Sequence, residues 1–88
     1  MRVDFLKSFS KDLDSINQKS TRDAIVKSIT LIEKAESIWE IPHIKKLSGH
    51  RNAYRIRLGD YRIGIFVEEN IVQFAHVLHR KEIYKMFP

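Results

Sequence analysis

The chain has 88 residues, of which 43% are hydrophobic and 31% are charged, and its formal net charge is +5. A chain of this length forms one domain, near the size at which about 60% of the unfolded surface is buried, and the composition is that of a globular protein rather than a disordered tail. The absence of cysteine excludes a disulfide framework and thiolate metal sites. No N-terminal apolar run is typical of a signal peptide or a membrane span, so we expect one domain, residues 1–88, in a reducing cytoplasm.

The positive charge is concentrated in the second half of the chain. Residues 1–40 carry seven Lys/Arg and seven Asp/Glu, whereas residues 41–88 carry nine and four. Residues 41–59 and 71–81 contain no acidic residue at all. Because a field acts through its local concentration, a polyanion is the partner to test first. The alternative is a basic surface that only keeps the protein soluble.

The first half of the chain predicts a strand followed by two helices. Residues 3–6 alternate as a strand does, and residues 8–16 carry apolar side chains at helical spacing. The segment 20–23 is typical of a helix N-terminus, and the second helix is predicted to run to about Ile38. Its helical spacing connects Ile25, Ile29, Ile32, Ala35 and Glu36. Trp39 is expected to close the helix core.

The second half predicts a loop, three strands and a last helical turn. Pro42 disfavours helical geometry at Ile41, so we expect a loop through Gly49. The predicted strands are Ala53–Leu58, Tyr61–Glu68 and Ile71–His79, joined by the turn sequences Gly59-Asp60 and Glu69-Asn70, with a helical turn at 83–87. The predicted fold class is therefore α+β: an N-terminal strand, two helices, a three-stranded antiparallel meander packed on them, and a short C-terminal helix.

The segment YRIRLGDYRIG, residues 54–64, predicts two chemically different sheet faces. A two-residue turn at Gly59-Asp60 places Arg57 opposite Arg62 and Arg55 opposite Gly64. Like charges directly opposite cost about 0.2–1 kcal/mol, so folding alone gives no reason for the arginine pair. We expect the helices to cover only the apolar face and Gly64 to leave room for a nucleic-acid backbone. The sequence therefore predicts a phosphodiester site on the basic face.

The same residues carry a resemblance to a known family. The segment YRIRLGDYRIGIFVEENIVQFAHVLHRKEIYK resembles the core of the RelE/ParE superfamily of bacterial toxin–antitoxin toxins, and the resemblance covers nearly the whole chain. The segment KKLSG before the hairpin, YRIRLGDYRI within it and HRKEIY after the last strand all agree with that family. The tight hairpin and the terminal Arg and Tyr are more similar to the RNA-cleaving RelE branch than to the gyrase-poisoning ParE branch.

The resemblance implies cleavage of mRNA in the ribosomal A site, by attack of a ribose 2′-hydroxyl on the adjacent phosphate, without a metal or cofactor. Arg55 and Arg57 fall where RelE-like toxins carry basic residues, and Arg62, Arg80 and Tyr84 fall on matching positions. The reaction gathers negative charge on phosphorus, and guanidinium groups stabilise such charge. It also needs a base and an acid, and an arginine pKa of about 12.5 or above makes arginine a poor base.

A histidine is the usual proton-transfer residue at neutral pH, and His79 is the first candidate because it precedes Arg80. The face occupied by His76 depends on whether the turn at 68–70 has two or three residues. His43 and His50 are interpreted as loop residues. Tyr84 has three open interpretations: stacking on a base, donating a proton, or packing.

Further basic residues surround the predicted site in the sequence and are expected to contact ribosomal RNA: Lys45, Lys46, Arg51, Lys81 and Lys85. The resemblance also implies an antitoxin partner whose disordered segment folds over the basic groove. No metal-binding spacing is present. Two alternatives remain open: a toxin that inhibits DNA gyrase through the same scaffold, and an inactive relative that only binds nucleic acid or its antitoxin.

Overall fold

The order of helices and strands along the chain agrees with the predicted α+β class. The computed structural model describes residues 1–88. Its elements are β1 (Arg2–Phe5), α1 (Lys7–Asp14), α2 (Lys19–Lys34), a 3₁₀ turn (Ile38–Glu40), β2 (Ile44–Lys46), β3 (Ala53–Leu58), β4 (Tyr61–Glu68), β5 (Ile71–His79) and α3 (Arg80–Met86). No helix is both long enough and apolar enough to cross a membrane.

The strands form one five-stranded sheet in the order β1-β5-β4-β3-β2. The predicted antiparallel meander β3-β4-β5 is confirmed with the predicted bounds. Strand β1 lies parallel to β5 at one edge, and β2 lies antiparallel to β3 at the other. The prediction of a continuous loop from Ile41 to Gly49 was wrong, because residues 44–46 pair with β3 and extend the sheet.

The main core lies between the sheet and the first two helices. The helix side contributes Phe9, Ile25 and Ile32, and the sheet side contributes residues such as Ile63 and Phe74, all of them at most 1% exposed. The alternation predicted for the hairpin is confirmed, because Ile56, Ile63 and Ile65 all point into this core. Period-2 strands and period-3.6 helices thus place their apolar faces against each other.

Helix α2 ends four residues earlier than the predicted Ile38. Ala35 has an extended backbone, with φ −74° and ψ 149°. The reason lies in the next few residues, where Ser37 Oγ accepts a hydrogen bond from Trp39 N and Glu40 Oε2 accepts one from Ser37 N. This capping box starts a separate 3₁₀ turn and so competes with continuation of the helix. Glu36 therefore lies outside α2 and is exposed. Trp39 does not close the core, because its side chain is 65% exposed.

Helix α3 covers part of the second sheet face, so the expectation that helices cover only one face was wrong. Ile83 and Phe87 are buried there in a smaller cluster with Leu47, Ala53 and Ala75. The C-terminal helix begins three residues before the predicted Ile83, at Arg80. Its N-cap is His79, whose Nδ1 accepts a hydrogen bond from Lys81 N.

Helix α1 closes the edge of β5 where β1 ends. Asp12 Oδ2 accepts a hydrogen bond from Val77 N at 3.1 Å and lies 2.7 Å from His76 Nδ1. Ser8 Oγ donates to Ala75 O at 2.5 Å. These contacts occupy backbone groups that would otherwise form an open sheet edge.

Candidate active site

The hairpin register brings the basic residues together as predicted. Arg57 lies opposite Arg62, Arg55 lies opposite Gly64, and Leu58 lies opposite Tyr61 across the two-residue turn. Gly59 has φ +61°, a conformation that glycine adopts without strain. The turn at Glu69 and Asn70 also has two residues, both with positive φ. The pairing of β4 with β5 shifts between Gly64 and Ile65, so Gly64 lies opposite His76.

Strand β2 extends the basic face by one more strand. Lys45 lies opposite Arg55 in the register. His43 directly precedes β2, and its carbonyl oxygen accepts a hydrogen bond from Arg57 N at 3.2 Å. His43, Arg57 and Arg62 therefore form one row across three neighbouring segments of the sheet, and Lys45 and Arg55 begin a second.

These rows line a cleft with a volume of about 280 Å³, which we call the arginine cleft. Its lining residues are His43, Ile44, Lys45, Arg55, Arg57, Arg62 and Tyr84. It combines four residues that are positively charged at neutral pH with one imidazole and one phenol. No lining residue carries a carboxylate.

Each guanidinium of the cleft is held by a different contact. Arg62 Nη1 donates to Gly59 O at 2.8 Å and to Tyr61 O at 2.9 Å. Arg57 Nη2 lies 3.2 Å from His43 Nδ1. Arg55 Cζ lies 4.5 Å from the ring centroid of Tyr84. These contacts orient the side chains without neutralising their charge.

The ion pairs of the protein lie outside the arginine cleft. They are Lys19–Asp23, Arg51–Glu68 and the His76–Asp12 contact. The cleft arginines therefore keep donors available for an anion, and their mutual repulsion is relieved when one binds.

Gly64 does not leave room for a ligand, which corrects the expectation drawn from the sequence. A Cβ atom at Gly64 would lie 2.6 Å from Cγ of Phe87. The ring of Phe87 therefore fills the space above the glycine. The open part of the basic face is limited to the side of the sheet near β2, β3 and the hairpin turn.

His79, the first candidate for proton transfer in the sequence, does not line the arginine cleft. His79 lies opposite Tyr61 in the register, and the two rings are 5.8 Å apart. Tyr61 packs against the main core, so His79 is on the face opposite to Arg62. Its Nδ1 is occupied as the N-cap of α3. His76 is likewise outside the cleft, in contact with Asp12.

The other predicted residues are distributed around the cleft. Arg80 is exposed at the start of α3, where its backbone N donates to Asp60 O at 2.8 Å, and it does not line the cleft. Lys81 and Lys85 are exposed on the same helix. Lys46 Nζ donates to His50 O, and Arg51 pairs with Glu68 at 3.3 Å. Of the five residues expected to contact ribosomal RNA, only Lys45 lines the cleft.

His43 lines the cleft although the sequence pattern does not predict it as a site residue. The sequence predicts a loop at this position, whereas the structure has His43 directly before β2. The sequence does contain a weak signal, since Ile44 and Leu47 are apolar and flank two lysines. A three-residue strand is recognisable only from its partner, which here is β3.

Comparisons with known proteins place both the sequence and the fold of this chain among toxins of type II toxin–antitoxin systems. The family model described as "ParE toxin of type II toxin-antitoxin system, parDE" matches residues 3–84. The chain is 44% identical to Toxin RelE3 of Methanocaldococcus jannaschii, with both chains covered completely.

Solved structures show the same relationship. The toxin of a RelB-RelE antitoxin-toxin complex from Methanococcus jannaschii is 42% identical, with a TM-score of 0.82 over 96% of this chain and 98% of that one. An archaeal RelE-RelB complex from Pyrococcus horikoshii is 26% identical, with a TM-score of 0.73 over 90% and 93%. The chain therefore belongs to the RelE/ParE superfamily of type II toxin–antitoxin toxins, and its named relatives are RelE toxins.

Proposed function

We propose that this toxin is a metal-independent endoribonuclease that cleaves mRNA on the ribosome. The observation that carries the proposal is the arginine cleft, where Arg55, Arg57 and Arg62 lie on one sheet face without a carboxylate among the lining residues. Like charges directly opposite, such as Arg57 and Arg62, cost a folded protein about 0.2–1 kcal/mol, which an anion between them would offset. A phosphodiester is an anion whose geometry suits guanidinium donors.

The reaction proceeds by attack of a ribose 2′-hydroxyl on the adjacent phosphorus atom. The bond from phosphorus to the 5′-oxygen breaks, and negative charge accumulates on the non-bridging oxygens in the transition state. The contacts of Arg62 with the turn carbonyls and of Arg55 with Tyr84 fix these donors before the substrate arrives. Donors that need no reorganisation stabilise the transition state more than mobile ones do.

Tyr84 provides the apolar wall of the cleft. Its side chain is 65% exposed, and one face of its ring is against Arg55. An exposed ring beside a phosphate site is suited to stacking on an unpaired base. Five further basic residues lie outside the cleft: Lys46, Arg51, Arg80, Lys81 and Lys85. We propose that they contact ribosomal RNA, for which diffuse positive charge is sufficient.

The partner of the toxin is proposed to be a cognate antitoxin. The named relatives were solved as RelB-RelE antitoxin-toxin complexes. This chain presents to a partner both a basic cleft and exposed apolar side chains, including Val26, Leu31 and Trp39. An acidic, amphipathic segment fits both surfaces. Its activity on translating ribosomes would place the toxin in the cytoplasm.

The test is to add purified toxin to a cell-free translation reaction and to map mRNA 5′ ends with and without ribosomes. The expected result is cuts at codon-phased positions that require ribosomes and are abolished by Arg62→Gln. Lys19→Gln is the matched control, because it removes one exposed positive charge on α2 and should leave cleavage unchanged. Intact mRNA at toxin concentrations that stop translation would contradict the proposal.

A gyrase-directed toxin is the second candidate, because the matching family model is named for ParE toxins. A supercoiling assay with the same protein preparation separates the two. The gyrase candidate predicts inhibited supercoiling and untouched transcripts, whereas the nuclease predicts the reverse. An inactive relative would affect neither.

A further inference from the structure

One imidazole lies within the arginine cleft, and its surroundings assign it a role. Resting on the proposed cleavage reaction, we propose that His43 is the general base that takes the proton from the ribose 2′-hydroxyl. The cleft otherwise contains only arginines, a lysine and a tyrosine as titratable groups. None of these side chains accepts a proton readily at neutral pH, whereas histidine does.

The other three histidines are unsuited to this role by position. His76 Nδ1 is 2.7 Å from Asp12 Oδ2 at the α1 edge of the sheet. His79 is on the opposite sheet face and caps α3. His50 lines a neighbouring pocket and does not touch the pocket that contains Arg57 and Arg62.

The contact with Arg57 suits the tautomer of His43 that a general base needs. A guanidinium can only donate, so the 3.2 Å contact from Arg57 Nη2 requires a lone pair on His43 Nδ1. A ring that accepts this hydrogen bond carries its proton on Nε2, which is the form a general base must have before the reaction. A phosphate that attracts Arg57 would release the Nδ1 lone pair within the cleft.

The backbone around His43 holds the ring in this position. Its φ is +62°, in the left-handed region, where histidine and asparagine are more frequent than most residues. Its carbonyl accepts the hydrogen bond from Arg57 N, which fixes the residue beside β3. The ring is therefore positioned by sheet geometry although it precedes β2.

The ionisable groups that face His43 are all cationic or neutral at pH 7. They are Lys45 from β2, Arg55 and Arg57 from β3, Arg62 from β4, the phenol of Tyr84 from α3, and Lys27 from α2 in the adjoining groove. No carboxylate competes for the proton at this site. Proton transfer to His43 balances the reaction as follows: the 2′-oxygen loses its proton to Nδ1 and bonds to phosphorus, and the bond from phosphorus to the 5′-oxygen breaks. The 5′-oxygen takes a proton from water, and the hydroxide that remains takes the proton from His43.

The test compares wild type with His43→Asn in single-turnover cleavage of mRNA on ribosomes, between pH 5 and 8. Asparagine tolerates the positive φ and can accept the hydrogen bond from Arg57, but it cannot take up a proton. We expect a rate loss of about 100-fold or more at pH 7.5, as for removal of a general base. The rise of the wild-type rate with pH should disappear, and toxin affinity for the ribosome should stay within about threefold.

Two further variants separate a catalytic from a structural role. His43→Gly suits the same backbone conformation and leaves a space, so added imidazole should restore part of its cleavage rate. His50→Gln should retain the wild-type rise of rate with pH. Rescue by imidazole would be inexplicable if the ring only supported the fold. A lack of rescue would overturn the proposal.

A substrate with sulfur in place of the bridging 5′-oxygen distinguishes base from acid, because a thiolate leaves without a proton. His43→Asn should remain slow on this substrate. Equal rates for variant and wild type would show that the residue is the acid and would overturn the assignment. If wild type cleaves and His43→Asn cleaves equally well, only this inference fails. If wild type does not cleave at all, the proposed function fails and the inference fails with it.

Discussion

Phe87 lies directly above Gly64, with ring atoms 2.6 Å from the position that a Cβ would occupy. This relationship fixes α3 against the second sheet face, because Phe87 is buried in the smaller cluster. It also limits the basic face to the arginine cleft, since Phe87 occupies the surface next to Arg55 that the hairpin alone would leave open.

Gly64→Ala should destabilise the protein by about 1–3 kcal/mol, because the added methyl group overpacks against Phe87. Urea denaturation measures this cost. In a Phe87→Leu background the same substitution should cost much less, because the smaller, flexible side chain leaves room. Equal costs in the two backgrounds would show that the ring is not the reason for glycine at this position.

Arg57→Gln should leave the stability unchanged or raise it by up to about 1 kcal/mol, because it removes a like-charge contact with Arg62. Any gain should be larger at low salt. Thermal unfolding at two ionic strengths measures the effect. Arg51→Gln is the opposite control, since it removes the attractive pair with Glu68 and should give no gain. A clear loss of stability in Arg57→Gln that exceeds the loss in Arg51→Gln would contradict this account of the cleft.

Asp12→Ala should destabilise the protein by about 1–3 kcal/mol, because it leaves Val77 N and His76 Nδ1 without their shared acceptor. The Asp12 and His76 side chains are only 16% and 17% exposed, so water replaces this contact poorly. Hydrogen exchange should become faster at Val77. Asp14→Ala, an exposed neighbour on the same helix, should have little effect on either measurement. Similar results for the two variants would mean that Asp12 does not hold α1 to β5.

Tyr84→Phe should retain most of the cleavage activity if the ring acts through its face, because phenylalanine keeps the contact with Arg55. Tyr84→Ala should reduce the cleavage rate severalfold, since both the stacking surface and the orientation of Arg55 are lost. Single-turnover rates on ribosomes measure both variants. Equal losses in the two variants would assign the role to the hydroxyl group and favour proton donation.

The arginine pair was predictable because local rules determine it. A two-residue turn at Gly59-Asp60 and the period of two in the strands fix that Arg57 faces Arg62. The bounds of β3, β4 and β5 followed from the same alternation. These features depend on residues close together in the sequence, so the sequence alone was sufficient.

The remaining features depend on contacts between distant residues. Strand β2 is too short to show a pattern and exists because it pairs with β3. Phe87 packs against Gly64, which lies 23 residues earlier in the chain. The isolation of His79 from the cleft follows from its place opposite Tyr61, which in turn depends on the register shift near Gly64. No local rule contains this information.

If the arginine cleft holds the scissile phosphate, Arg62→Gln should slow the single-turnover cleavage of mRNA on ribosomes. We expect a loss of about 100-fold to 1000-fold with folding intact, comparable to removal of one fixed donor to a transition-state oxyanion. A rate within about threefold of wild type would show that the cleft does not hold the scissile phosphate, because Arg62 is one of the three guanidiniums that the cleft presents.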